Sequence, residues 1–220
     1  IVGIKALEVD ASLLQEEVLD QMFEAEGAFS GIETDRSFYG ADLVLTLREN
    51  IPADDDACGI AYVGVYDGEP YRDAYAAVVQ WAPLGPGGTY CTDTTTAHEI
   101  GHLLGSLHER RISSGFTGAY PYSFGHYGSG FHTIMSYGDE PERPYFSNPN
   151  LIACRGFPCG LPESDPESAD NARGFTQARF MLAGYEGDTF APELMRDFIL
   201  DEECELCLLY TSPSPRDTMS

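Results

Sequence analysis

Three of the five histidines of this chain lie within an eleven-residue stretch, at His98, His102 and His108. Residues four apart differ by about 40° around a helix axis, so His98 and His102 share one helical face, a turn apart. That spacing allows two imidazoles to bind one metal ion. Glu99 stands beside the first histidine, where a carboxylate reaches a water on the metal rather than the metal itself. These residue types at this spacing predict a metal site.

A glycine predicts how the third histidine joins the other two. Gly105 follows His102 by three residues, where glycine can adopt the left-handed conformation that ends a helix. The chain can then turn back and deliver His108, which leaves the fourth position of a zinc ion open for water, as in catalytic sites. A satisfied core histidine explains one of the three but not all. The intervening residues are apolar and predict a buried helix: Ile100, Leu103, Leu104 and Leu107.

An Ile-Met-Ser-Tyr sequence over residues 134–137 lies downstream of the histidines. With the long histidine motif, it resembles the metzincin zinc endopeptidases, in which such a methionine forms an apolar floor beneath three histidines. The resemblance implies one catalytic zinc ion and a structural role for Met135. Tyr137 matches the astacin and serralysin pattern, where the tyrosine binds zinc and swings away, and its hydroxyl would stabilise the oxyanion. A packed aromatic beside the turn is the alternative for Tyr137.

Four further segments look like the reprolysin-like secreted metalloproteases of bacteria and related marine microbes. They are residues 39–44, 58–63, 145–149 and 169–173, so the resemblance spans residues 37–180. Glu109 departs from the reprolysin pattern, which has Asp after the third histidine, and agrees with the astacins. The resemblance implies an α/β (α+β) zincin. Its upper subdomain would be a mixed twisted sheet with helices, its lower subdomain small and irregular, and zinc would lie in the cleft between them.

Apolar periodicity predicts the elements that carry these residues. We expect strands over 2–9, 43–47, 60–65 and 74–81, helices over 12–26 and 170–184, and a loop over 83–88. Residues 94–96 offer a cap for the helix of the histidines. The length suits one catalytic domain, which we place at 1–190 and divide into an upper subdomain, 1–108, and a lower one, 109–190.

Both ends of the sequence look unnatural. It begins at Ile1 with no signal peptide, so we expect the N-terminus to be truncated, without its secretory signal and any pro-segment. Residues 191–206 are an extension of unassigned role. Residues 207–220 resemble translated sequencing-adapter read-through and are interpreted as non-native. A genuine linker rich in serine and proline is the alternative.

Six cysteines fit an oxidising, extracellular compartment. Cys58 precedes an apolar run and Cys91 precedes the histidine helix, and we expect these two to pair. Cys154 and Cys159 flank a short segment with glycine and proline and are expected to close a local loop. A zinc finger is the competing interpretation, but the sequence has no pair of Cys-x-x-Cys units.

The formal net charge of −24 at pH 7 excludes a nucleic-acid partner, because the phosphate backbone requires a basic surface. The acidic surface favours solubility and cationic substrates. Calcium has little support as a cofactor: the acidic residues 54–56 and 202–203 lack EF-hand spacing and are better interpreted as solvated loops. No apolar stretch reaches the length of a membrane span, so we expect no membrane partner, and we expect a monomer.

These features favour a secreted zinc endopeptidase that acts on proteins or peptides, with Glu99 as the general base. The alternative is a catalytically silent protein-binding module of the same fold, which the presence of Glu99 disfavours. His126 and His132 are expected to be surface or supporting groups. We expect residues 136–149 to line the pocket that binds the substrate residue after the cleaved bond. Arg143 either contributes to that pocket or is solvated.

Overall fold

The computed structural model describes residues 1–49, 57–71, 75–81, 91–185 and 206–211. The chain divides into two compact units, each discontinuous in sequence. The first comprises Ile1–Tyr62, Arg72–Thr95 and Leu182–Ser220, and the second comprises Val63–Tyr71 and Thr96–Met181. The predicted domain limits and the predicted cleft stay predictions. The predicted loop at 83–88 and both acidic groups, at 54–56 and 202–203, lie outside the described residues.

Short strands and helices follow one another along the described residues. The strands are β1 (Gly3–Ala6), β2 (Leu43–Glu49), β3 (Gly59–Ala61), β4 (Val65–Tyr66), β5 (Glu69–Pro70), β6 (Ala76–Trp81), β7 (Tyr127–Gly128), β8 (Phe131–Thr133), β9 (Glu142–Arg143) and β10 (Leu206–Thr211). The α-helices are α1 (Gln15–Phe23), α2 (Ile32–Tyr39), α3 (Thr95–Leu103) and α4 (Asn171–Leu182), and a 3₁₀ turn spans Gly27–Phe29. This mixture confirms the predicted α/β class. None of the described helices is long and apolar enough to cross a membrane.

A five-stranded mixed sheet in the order β1-β10-β2-β6-β3 is the frame of the first unit. β6 runs parallel to β2, with Ala76 opposite Val44, and the other neighbouring pairs are antiparallel. Successive residues are buried along the two parallel strands, which is typical of strands covered on both faces. They are Val44, Leu45, Ala76, Ala77 and Val78. β10 includes the start of the tail interpreted as non-native, and that interpretation stays a prediction.

Helix α1 is shorter than the helix predicted over 12–26. One stripe of it is buried, with Val18 and Met22 one turn apart and wholly inaccessible to solvent. The backbone N–H of Leu14, the residue before the helix, donates to the carboxylate of Glu17 at 2.7 Å. This contact satisfies a donor that would otherwise lack a partner at the helix start, and it sets where α1 begins.

Helix α2 was not predicted from the sequence. Its eight residues are too few for a clear apolar period. Tertiary contacts hold it instead: Ile32 is buried, and the guanidinium of Arg36 lies 3.6 Å from the ring centroid of Tyr75. Gly40 ends the helix in the left-handed conformation, at φ 61°.

The strand predicted over 60–65 is wrong as a single element, because β3 and β4 are separate strands. In the second unit, the backbone N–H of Gly64 donates to the carbonyl of His102 at 3.1 Å, just before β4 begins. β4 and β5 then form a hairpin whose turn residues, Asp67 and Gly68, have φ of 49° and 76°. Two positive φ angles at Asp-Gly are typical of a type I′ turn.

The second unit also contains a three-stranded sheet of β7, β8 and β9, in the half predicted to be irregular. β8 pairs antiparallel with β7 and parallel with β9. Strands of two or three residues are too short for alternation to predict. Helix α4 lies within the span predicted at 170–184. Ala178 and Leu182 are buried, and Phe175 and Met181 are half-buried.

Each unit contains one disulfide, Cys58–Cys91 in the first and Cys154–Cys159 in the second. These are the pairs expected from the sequence, and these four cysteines form no zinc finger. Cys154 and Cys159 are fully buried and pack with Phe131 of β8. The second disulfide therefore closes a short loop after β9, and this loop packs against Phe131 of the three-stranded sheet.

The turn after helix α3 requires glycine for two reasons. Gly105 has φ 82°, and its backbone N–H donates to the carbonyl of His102 at 2.8 Å. A Cβ at Gly105 would lie 2.5 Å from the carbonyl oxygen of Val65 and 2.5 Å from the Cβ of Ala119. Conformation and space are therefore both restricted where the chain turns toward His108.

Replacing Gly105 with Ala should lower the free energy of unfolding by about 2–4 kcal/mol, because left-handed strain adds to steric overlap. Gly115→Ala is the matched control, since Gly115 has φ 87° and its Cβ would meet nothing within 4 Å. We expect a loss of about 1–2 kcal/mol for the control, from strain alone. Urea unfolding followed by circular dichroism measures both. Equal losses in the two variants would contradict close packing at Gly105.

Candidate metal centre

Helix α3 presents His98 and His102 on one face, a turn apart. Both side chains are buried, and Leu103 of the same helix is buried in the core of the second unit. The helix begins at Thr95, within the segment predicted to cap it. The sequence therefore predicted both the element and the face that carries the first two histidines.

The third histidine is held by the loop that follows the Gly105 turn. Leu107, the residue before His108, donates its N–H to the carbonyl of Ser123 at 2.9 Å and accepts from Gly125 at 3.0 Å. These bonds fix the backbone on which His108 projects. His108 Nε2 lies 3.1 Å from His98 Nε2 and 3.0 Å from His102 Nε2, so the three rings converge.

Backbone carbonyls orient two of the three rings. His98 Nδ1 donates to the carbonyl oxygen of Ile134 at 2.6 Å, and His102 Nδ1 donates to that of Ser106 at 2.8 Å. A hydrogen on Nδ1 leaves the lone pair of Nε2 available to a metal ion. The two carbonyls thus select the tautomer that a metal site requires.

The three imidazoles fit a metal ion of the zinc type. Their ligand nitrogens all lie within 4.8 Å of one another, and this is the metal-binding cluster present among the described residues. Zinc–nitrogen bonds of about 2.0–2.1 Å in a tetrahedron place the nitrogens about 3.3 Å apart. The measured separations of 3.0 and 3.1 Å are close to that value. Nitrogen donors also suit zinc better than calcium, which takes oxygen ligands.

Burial keeps these histidines neutral at physiological pH. Removal from water lowers the pKa of His98, lowers the pKa of His102 to about 3 and lowers the pKa of His108 to about 4. The mutual repulsion of closely spaced imidazolium rings acts in the same direction for His102 and His108. The rings are therefore already deprotonated when a metal ion arrives.

Met135 packs against helix α3 between the two histidines of that helix. A Cβ at Gly101 would lie 2.5 Å from Met135 Sδ and 3.2 Å from a ring carbon of Phe146. Met135 itself is fully buried. Gly101 is therefore the residue that lets the methionine approach the helix, within one turn of His98 and His102.

Glu99 is the buried carboxyl of the site. It exposes 4% of its surface, and burial raises its pKa to about 8. A cation nearby would favour the carboxylate form and oppose this shift. A buried carboxyl with a raised pKa next to metal-type ligands is suited to accept and return a proton.

Glu109 connects the third histidine to the turn that contains Met135. Its Oε2 accepts the backbone N–H of Tyr137 at 3.0 Å, and its Oε1 accepts from Arg111 at 2.9 Å. Arg111 also donates to the carbonyl of Tyr137 at 3.0 Å. The buried carboxylate thus links residue 109, the neighbour of His108, to the backbone of Tyr137. It binds the N–H of the tyrosine directly and reaches the carbonyl of the tyrosine through Arg111.

Tyr137 places its hydroxyl at the histidine cluster. The hydroxyl donates to His98 Nε2 at 3.1 Å, and the ring centroid lies 4.5 Å from that of His108. The residue still exposes 50% of its surface, so it is not a packed core aromatic. Burial of the hydroxyl, with the charges of Glu99 and Glu109, raises its pKa to about 12.

The other two histidines do not join the cluster. His132 is buried on β8, where its Nδ1 lies 3.2 Å from the carbonyl oxygen of Thr133 and its ring is parallel to that of Tyr127. His126 packs edge-on against Phe131, and burial lowers its pKa. The three-residue cluster among the described residues includes neither of them.

Sequence reasoning missed the groups that hold the ligands in place. The carbonyls of Ile134 and Ser106 are backbone atoms, which no side-chain pattern identifies. Gly101 carried a signal, because a glycine inside a buried helix indicates a close approach. Glu109 was noted as a subfamily marker, but its hydrogen bond to the backbone of Tyr137 depends on tertiary structure.

Comparisons with known proteins agree with this geometry. The family described as Metallo-peptidase family M12B Reprolysin-like matches residues 25–164, more than half of the chain. A peptidyl-Asp metalloendopeptidase of Xanthomonas campestris pv. campestris is 30% identical over 166 residues, which cover 73% of this chain and 34% of the relative. The chain thus spans about a third of that relative's length. A solved structure described as a chaperone–substrate complex has a similar fold, with TM-score 0.54 and 16% identity, over 81% of this chain and 26% of the other.

The histidines should make the metal-free protein sensitive to acid. The pKa of an unfolded histidine is about 6.5, above the folded values, so the unfolded state binds more protons below that pH. Glu99 titrates in the opposite sense, because its folded pKa is the higher one. In metal-free Glu99→Gln protein, we therefore expect the free energy of unfolding to fall from pH 7 to pH 5. The slope should reach up to about 1.4 kcal/mol per pH unit for each histidine.

Urea unfolding in the presence of a chelator measures this slope. Adding His102→Gln and His108→Gln to the same background should remove most of it, because the two most strongly shifted groups are then absent. A slope that persists in the triple variant, or that is absent from the Glu99→Gln protein, contradicts the neutral buried state of these rings.

Proposed function

Because the chain belongs to the reprolysin-like metallopeptidases of family M12B, we propose that it is a zinc-dependent endopeptidase that hydrolyses internal peptide bonds. The observation that carries the proposal is the convergence of three imidazole nitrogens, from His98, His102 and His108, next to the buried carboxyl of Glu99. The three histidines are the proposed zinc ligands. Three ligands leave a position for water, as in catalytic zinc sites.

Glu99 is the proposed general base. Zinc, when bound, supplies a water with a pKa near 7 and polarises the scissile carbonyl. Glu99 takes a proton from the attacking water and delivers it to the leaving amine nitrogen. Burial raises the pKa of Glu99, and a bound cation would act in the opposite direction.

Tyr137 is the proposed hydrogen-bond donor to the oxyanion. Its raised pKa keeps the hydroxyl protonated, and therefore a donor, throughout the physiological range. The bonds of Glu109 and Arg111 hold its backbone, while the side chain remains half exposed and able to move toward a substrate. Met135 forms the floor of the site, and Gly105 turns the chain that delivers His108.

The setting and substrates of the enzyme are part of the proposal. Two disulfides favour an extracellular, secreted protein. Proteins or peptides are the proposed substrates, and the chain is proposed to act as a monomer without nucleic-acid or membrane partners. The name of the Xanthomonas relative specifies peptidyl-Asp bonds. We propose that this chain also cleaves beside aspartyl residues.

Glu99→Gln should abolish hydrolysis without removing zinc. We expect kcat/KM to fall by about 10²–10⁴-fold, because proton transfer is lost while the three imidazoles remain. Elemental analysis for zinc and cleavage of casein measure the two properties. Glu167→Gln is the control, since it neutralises an exposed carboxylate and should leave both unchanged.

Three outcomes would contradict the proposal in different ways. A well-folded parent without zinc rejects the metal centre. A parent that binds zinc but cleaves nothing is a silent binding module. Full activity in Glu99→Gln rejects this residue as the base.

Tyr137→Phe should lower kcat by about 100-fold and leave KM nearly unchanged, because the lost hydrogen bond acts on the transition state. Zinc content should stay the same, since three ligands remain. Tyr66→Phe is the matched control: Tyr66 is 53% exposed and lies on the β4–β5 hairpin. Steady-state kinetics on a quenched-fluorescence peptide measures both variants. An unchanged kcat in Tyr137→Phe would make Tyr137 a packing residue only.

A further inference from the structure

One arginine side chain of the second unit has no protein partner among the described residues. The side chain of Arg143, on β9, makes no hydrogen bond, ion pair or ring contact there, and its Nε is buried. The other five arginines of this unit each contact a carboxylate, a carbonyl or an aromatic ring. They are Arg110, Arg111, Arg155, Arg173 and Arg179.

A buried guanidinium nitrogen without a hydrogen-bond partner is energetically unfavourable. Desolvation of a charged donor is unfavourable unless a hydrogen bond replaces the lost water. The guanidinium of Arg143 carries a permanent charge and presents donors in a planar fork that matches a carboxylate. The residue is only half-buried, so part of it remains accessible to a molecule from outside.

The position of Arg143 connects it to the metal centre through two strands. β9 runs parallel to β8, with Arg143 opposite Thr133. The next residue, Ile134, donates its N–H to the carbonyl of Tyr145 at 3.0 Å and holds His98 through its own carbonyl. Arg143 is thus two residues before Tyr145, whose carbonyl bonds Ile134, the residue that orients a proposed zinc ligand.

The residues after Arg143 continue toward helix α3. Phe146 lies 3.2 Å from the place a Cβ would occupy at Gly101, between the two histidines of the helix. Residues 143–146 therefore follow one side of the metal centre. This is the segment expected from the sequence to wall the pocket for the residue that follows the cleaved bond.

We propose that Arg143 is the specificity-determining residue that receives the acidic side chain of the substrate residue immediately after the cleaved bond. The inference rests on the proposed function, because it assigns a role within the same site. An aspartate or glutamate carboxylate would supply the partner that Arg143 lacks among the described protein groups. A solvated arginine, the alternative considered from the sequence, would not keep its Nε out of water.

This local preference is opposite to the one that the overall charge predicts. A net charge of −24 favours cationic substrates at long range. Charges separated by more than about 8 Å are largely screened at physiological ionic strength, whereas a contact between guanidinium and carboxylate is not. The residue at the cut can therefore be acidic although the surface as a whole is acidic too.

Peptides that differ only at the residue after the cut provide the first test. We expect the parent to cleave an Asp peptide about 10- to 100-fold more efficiently, in kcat/KM, than the matching Asn peptide. Arg143→Gln should reduce that ratio to near one, and Arg143→Lys should restore part of it. Arg143→Glu should favour a Lys peptide. Arg179→Gln is the control for loss of one positive charge, because Arg179 is exposed and its guanidinium lies over the ring of Phe180.

Two results in this assay overturn the inference. One is an Asp-to-Asn ratio that Arg143→Gln leaves unchanged in a folded, zinc-loaded protein. The other is a parent that favours Lys over Asp at this position. A merely structural role for Arg143 would lower cleavage of all the peptides equally, without the reversal expected for Arg143→Glu.

A binding measurement separates this inference from the proposed function. Zinc-loaded Glu99→Gln protein is mixed with fluorescent peptides that begin with Asp or with Asn, and anisotropy gives the two dissociation constants. We expect about tenfold tighter binding of the Asp peptide, lost on addition of Arg143→Gln. Equal binding of both peptides rejects the role of Arg143. Selective binding together with a parent that cleaves nothing rejects the peptidase activity alone.

Discussion

Three imidazole rings must remain neutral and direct their Nε2 atoms to one place. The structure around helix α3 in the second unit meets both conditions. Burial meets the first condition, because it lowers the pKa of all three histidines. The carbonyls of Ile134 and Ser106 meet the second, since each accepts a hydrogen from Nδ1 and leaves Nε2 free. Both carbonyls belong to irregular backbone beside the helix. The loops therefore specify the chemistry of the site as much as helix α3 does.

The loops that supply these carbonyls are themselves connected. Gly105 reverses the chain after α3, which brings the carbonyl of Ser106 under His102 and the ring of His108 into the cluster. Glu109 then bonds the backbone of Tyr137, so that the third-histidine loop and the methionine turn are held as one assembly. A change in either loop would displace a ligand, a ligand's hydrogen-bond acceptor and the tyrosine hydroxyl together.

The sequence predicted the parts of this site that are local in the chain. The helix, the shared face of His98 and His102, the terminating glycine and the two disulfides all follow from residue types at fixed spacings. Helix α2 and the three-stranded sheet did not, because their stability comes from contacts distant in sequence, such as Arg36 on Tyr75. The strand predicted over 60–65 failed for a related reason: Gly64 bonds the end of α3, an interaction that no alternation of apolar residues reveals. Arg143 was recognised, but its lack of a partner among the described groups is visible only in three dimensions.

X-ray absorption at the zinc edge of the loaded protein reports directly whether three histidine nitrogens bind the zinc ion. The spectrum should show three imidazole nitrogens at about 2.0–2.1 Å, with one further light atom from water. A sulfur shell at about 2.3 Å would instead indicate binding by cysteines, and an all-oxygen shell would indicate binding by acidic groups. Either of those spectra would contradict the three-histidine centre.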